Sequence, residues 1–311
     1  MIALCGVLCG ALSSALPGAL GAIAVHADEI HTGLTPVHAC LPVPVAGGEP
    51  GFLAATDGGL VRVDASGEVR AVWTALDGLP GTRVRTLARD GGELWLGGES
   101  GLARVRLGNG PEAPRKIDVI ERHPSAPVHA IARSGDALYA GTWGSGVMRL
   151  GKRGLVSVPV AADENGSAPG AAGAEAASAN QPHARVTSLA VSGGALVAGT
   201  WGGVYRLEGD RLRAHALAGT LVWSLLAADG ALWIGAVDGL HTLAQGQARR
   251  VAGGDVRGLS RGADGIVAAH FGDGVQALAG SAWRSMSAPA EAAHAQAYAE
   301  EAGAACIAAH D

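Results

Sequence analysis

One phrase recurs along this chain about six times. A chain that repeats itself at a fixed interval folds as repeated units, and that constraint outranks any local signal. The phrase reads FLAATDGGLVRV at 52–63, LWLGGESGLARV at 94–105 and LYAGTWGSGVMRL at 138–150. It returns as LVAGTWGGVYRL at 196–207, LWIGAVDGLHTL at 232–243 and IVAAHFGDGVQAL at 266–278. A seventh copy begins as CIAAHD at Cys306, where only the first strand of the phrase is present. Two short apolar runs around a Gly-rich turn read as a β-hairpin. Ten residues before five of these phrases stands a second pattern, Val-x-x-Leu, beginning at Val84, Val128, Val186, Val222 and Val256. Val37 opens a sixth copy with a longer link. A looser strand follows each hairpin, as at 68–73 and 116–121.

Four short strands per unit, at intervals near the roughly 40–50 residues of a propeller blade, predict an all-β fold. The expected architecture is a β-propeller of about seven four-stranded blades, the last incomplete. A β-solenoid is the rival, but its repeats are shorter. One interval is longer than the rest because residues 161–185 form an insertion rich in Ala, Gly, Ser, Asn and Pro. Such a composition cannot bury enough apolar surface to fold alone, so a flexible insertion is expected, either a recognition loop or a tolerated one. Residues 289–304, rich in Ala and Glu, read as a helical or loose excursion within the last unit.

Residues 2–25 are apolar and end in Val25-His26-Ala27, which resembles a secretory signal with a small-x-small cleavage site. No Lys or Arg precedes Arg62, so an N-terminal membrane anchor is the competing reading. The expected organisation is a signal peptide or anchor over 1–27 and a propeller over 28–311, placed in the periplasm or secreted. Export permits a disulfide. Cys40 in the first unit and Cys306 in the last would be neighbours in a closed ring, and a bond between them would clasp it. Two buried thiols are the alternative.

The chain has a net charge of −5 and only two lysines, Lys116 and Lys152, so no basic stripe points to nucleic acid. The hairpin turns vary most while the framework around them stays constant, which is how a site grafted on a scaffold reads. Trp143 and Trp201 occupy matching turns of consecutive units and could form a stacking platform for a sugar ring or an aromatic ligand. Phe271, His270, Asp57, Glu99 and Asp238 stand at other turns and complete the candidate ligand-binding set. Turn chemistry alone favours Asp before Gly, which weighs against a catalytic or Ca²⁺ role for these carboxylates. His270 and His310 could ligate a metal, but no third ligand stands at a fixed spacing, so no metal and no cofactor is expected. No nucleophile motif or phosphate loop is present. Trp95 and Trp233 lie inside strands and are expected to pack.

Residues 77–98, DGLPGTRVRTLARDGGELWLGG, resemble the two-component regulator propeller repeat, which runs Gly-Leu-Pro, Val-x-x-Leu, Asp-x-x-Gly and Leu-Trp-Ile-Gly-Thr. The other units keep the core of this pattern and lose its Gly-Leu-Pro. The resemblance covers about 37–311 and implies an extracytoplasmic sensor propeller. The expected function is therefore non-catalytic recognition of a small-molecule or glycan ligand. A scaffold for another envelope protein and a propeller glycoside hydrolase or lyase are the alternatives.

Overall fold

The computed structural model describes residues 37–44, 50–64, 68–107, 117–161, 181–262, 265–272, 274–279 and 282–285. The segment 1–27, most of the 161–185 insertion, the 289–304 excursion and the seventh phrase at Cys306 lie outside these residues. Among the described residues are six four-stranded sheets with their strands in sequence order. They span 37–73, 84–123, 128–157, 186–216, 222–252 and 256–285. All the pairings within them are antiparallel, as a chain of hairpins requires. This is the β-propeller fold.

The chain divides into two compact units. One contains the first and sixth sheets with residues 104–121, and the other contains the third, fourth and fifth sheets with residues 97–103. The second sheet contributes to both. In the larger-numbered unit the three Val-x-x-Leu strands, Val128–Ser134, Val186–Ser192 and Val222–Ala228, pack in sequence against one another. The second strands, such as Ala195–Thr200, are buried along nearly their whole length. A strand covered on both faces needs a continuous apolar run, which explains why the phrase does not alternate.

The glycine of that run has a specific task. A Cβ on Gly141 would sit 2.5 Å from Cγ1 of Val186, and one on Gly199 would sit 2.8 Å from Cγ1 of Val222. A Cβ on Gly235 would meet the carbonyl oxygen of Val256 at 2.7 Å. All three valines are fully buried. Each Val that opens a sheet thus seats in the space left by the Gly of the sheet before it. Around these seats lie Tyr139, Leu196, Tyr205 and Leu212 on one side and Val197, Leu232, Ile234 and Leu243 on the other. In the first unit, Val37, Phe52, Ala54, Val61 and Val63 form the corresponding core, with Cys40 packed against it. Cys40 is disulfide-bonded. Cys306 lies outside the described residues.

Candidate functional site

Each hairpin turn is stapled by the last residue of its second strand. Thr142 Oγ1 donates to the Gly146 carbonyl at 2.7 Å and accepts from Ser145 N–H at 3.1 Å. Thr200 does the same with Gly203 O at 2.9 Å and Gly202 N–H at 3.0 Å, and Thr56 with Gly59 O and Gly58 N–H. The residue after the threonine is therefore held at a fixed place. Its own N–H is bound by the residue that precedes a Val. Trp143 donates to Pro127 O at 2.8 Å, Trp201 to Arg185 O at 3.2 Å and Val237 to Leu221 O at 3.0 Å. Three variable positions meet at each turn: the turn residue and the residues before and after the Val.

In the unit holding the third, fourth and fifth sheets, this register brings Trp143 and Trp201 together. Their ring centroids are 5.1 Å apart at an interplanar angle of 87°. The pair forms an edge-to-face corner, a favoured aromatic geometry, and not a flat platform. His129, the residue after Val128, lies flat on Trp143 with centroids 5.0 Å apart and planes 21° apart. Arg185, the residue before Val186, places its guanidinium carbon 4.4 Å from the Trp201 ring centroid and 5.7 Å from that of Trp143. All four side chains are half-buried. Trp201 Nε1 is buried and makes no hydrogen bond among the described residues.

The end of the insertion builds this corner. Pro182–Ala184 forms a turn of 3-10 helix with His183 and Ala184 buried. The Ala184 carbonyl accepts from Gly144 N–H at 2.8 Å and from Gly146 N–H at 3.0 Å. A Cβ on Gly202 would meet Pro182 Cβ at 3.0 Å, so the same turn packs on the next hairpin. Arg185 and Trp143 form an isolated antiparallel bridge. Burial holds the His183 imidazole below its ordinary pKa. Residues 181–185 of the expected flexible stretch are thus part of the framework, fixed by main-chain hydrogen bonds that their composition does not advertise.

The other candidates take separate positions. Asp238 is exposed and pairs with His241 Nε2 at 3.0 Å. Glu99 is exposed in its turn. In the first unit, Asp57 Oδ1 lies 2.7 Å from His38 Nε2, and Arg83 Nε lies 3.9 Å from Asp57 Oδ2. Burial lowers the His38 pKa, and Asp57 opposes that shift by hydrogen bond and charge. Phe271 is exposed and lies beneath Arg257, whose guanidinium carbon is 3.9 Å from the ring centroid, whereas His270 is buried. His310 and Asp273 lie outside the described residues. Among the described residues no group of three or more His, Cys, Asp or Glu could hold a metal ion. Trp95 is buried and donates to Asp90 at 3.1 Å.

Sequence reasoning missed His129 and Arg185. The signal was available, since the residues beside each Val vary as freely as the turn residues do. They read Arg83, Pro127, Arg185, Leu221 and Asp255 before it, and His38, Arg85, His129, Thr187, Trp223 and Arg257 after it.

No protein-family model matches the sequence, and no curated protein matches it. Solved structures do. The extracellular domain of a hybrid two-component system from B. thetaiotaomicron superposes with a TM-score of 0.61 at 16% identity, covering 82% of this chain and 34% of that one. The WD40 β-propeller domain of Doa1 gives a TM-score of 0.54 at 13% identity over 82% of this chain and 83% of that one. PorZ, a bacterial surface component of the type-IX secretion system of Porphyromonas gingivalis, gives 0.50 at 18% identity, covering 77% and 31%. The chain therefore spans about a third of the B. thetaiotaomicron and P. gingivalis neighbours. At these identities the likeness establishes the propeller fold, the fold that the two-component regulator repeat implied.

Proposed function

We propose that this chain is an extracytoplasmic, non-catalytic ligand-binding propeller of the sensor type, with its ligand seated at the Trp143–Trp201 corner. The observation that carries the reading is the convergence of two indoles, an imidazole and a guanidinium on equivalent, main-chain-anchored turn positions. Half-buried aromatic side chains with polar edges are the usual furniture of a small-ligand or sugar site. The extracellular domain from B. thetaiotaomicron supports the cellular setting. Asp57 and Asp238 are each bound to a histidine within their own turn region, which favours a structural over an acid–base role for them. Titration of soluble oligosaccharides against the intrinsic tryptophan fluorescence tests the proposal. A saturable change that Trp143→Ala and Trp201→Ala both abolish supports it, and binding unaltered by either variant overturns the location.

A scaffold role is the second reading, favoured by the surface assignment of the P. gingivalis neighbour and by the exposure of Val237 at the next turn. Capture of an envelope protein that Val237→Ser prevents, with no response to any oligosaccharide, would select it.

A further inference from the structure

We infer that the ligand of this corner carries an oxyanion on a ring, as a uronate or a sulfated sugar does. This rests on the ligand-binding reading above and narrows its chemistry. Arg185, the two indoles and His129 form the corner, and the first three supply hydrogen-bond donors only. A neutral sugar hydroxyl both donates and accepts, and is gripped best where acceptors accompany donors. A carboxylate or sulfate only accepts, and it matches a guanidinium bidentately.

The placement of Arg185 suits that task. Its main chain is tied to both hairpins, through the bridge to Trp143 and the hydrogen bond from Trp201 N–H. Its guanidinium lies over the Trp201 ring and near that of Trp143. Stacking engages the face of the guanidinium, whereas its N–H donors radiate in the plane. An anion can therefore approach the edge while the indoles hold the group in place and present apolar surface to the rest of the ring. The buried Trp201 Nε1 adds a further donor in the same corner, one that an incoming oxygen would satisfy.

The test is an array of neutral, uronate-bearing and sulfated oligosaccharides, probed with the full chain and with Arg185→Gln and Arg185→Lys at two salt concentrations. The expected result is binding confined to acidic members, weakened by salt and reduced about 10- to 100-fold in Arg185→Gln, the effect of losing a charge-assisted pair. Arg185→Lys should fall between, because it keeps the charge without the fork. The uronate and sulfate arms separate the two sources of the anion. Binding to neutral members that Arg185→Gln leaves intact overturns the oxyanion and retains the ligand-binding reading. Binding to no member overturns both. Acidic binding that Arg185→Gln leaves unchanged moves the site elsewhere. Should Arg185→Gln fail to fold, the acidic-to-neutral selectivity of the unaltered chain and its salt dependence decide the question.

Discussion

The turn of the fourth sheet and that of the first share a framework and differ in everything it presents. Thr200 and Thr56 make the same pair of hydrogen bonds at the same place. The following residue is Trp201 in one, meeting an indole and a guanidinium, and Asp57 in the other, meeting an imidazole. The lesson is a division of labour inside one repeat. Val, Gly and Thr fix the scaffold, and the positions around them are free to take up chemistry. Aromatic and cationic groups gather in one unit, and ion pairs gather at the equivalent places of the other.

The comparison can be broken at the framework or at the turn. The largest effect is expected from Gly199→Val, which forces a side chain into the seat of Val222 and should cost about 3 kcal/mol or more, read as a fall in the thermal midpoint. Trp201→Ala should cost about 2 kcal/mol by urea denaturation, since it removes an edge-to-face partner and the ring under Arg185. Its stability loss is thus smaller than that of the glycine variant, while its loss of ligand response is complete. If Trp201→Ala costs as much as Gly199→Val, the turn is scaffold and the division fails.

The histidines sharpen the contrast by pH. Burial lowers the folded-state pKa of both His38 and His183 below the ordinary value of 6.5. The unfolded chain then binds more protons than the folded one below that value, so stability is full above 6.5 and declines as pH falls through the depressed folded values. Denaturation midpoints measured across this range should show that direction. Asp57→Ala should cost about 1 kcal/mol and move the His38 titration, followed by NMR, further down, because Asp57 is the group that holds it up. Asp238→Ala, which removes an exposed partner of His241, should cost only about 0.5 kcal/mol.

Much of the fold was legible because its rules repeat. The Val-x-x-Leu and hairpin phrases mark the first three strands of every described sheet, and the turn residues that vary do hold Trp143 and Trp201 side by side. Their mutual angle was not legible, since it follows from how two sheets pack and not from either phrase. Arg185 and His129 escaped notice because each sits beside a strand-opening Val, where a lone polar residue reads as edge solvation. Residues 181–185 escaped because a low-complexity run predicts disorder from composition, whereas the Ala184 carbonyl is engaged by two main-chain donors whatever its neighbours are.

The Val-into-Gly seats carry a consequence for how the molecule comes apart. Each is a joint between consecutive sheets, so in the unit that contains Gly141, Gly199 and Gly235 no sheet is complete until its neighbour has docked. Stability there is shared link by link, as along a short chain of coupled spins. A single bad joint would then melt two sheets together. Drift in the turn residues would leave every joint intact, so one such architecture can change what it recognises many times without relearning how to fold.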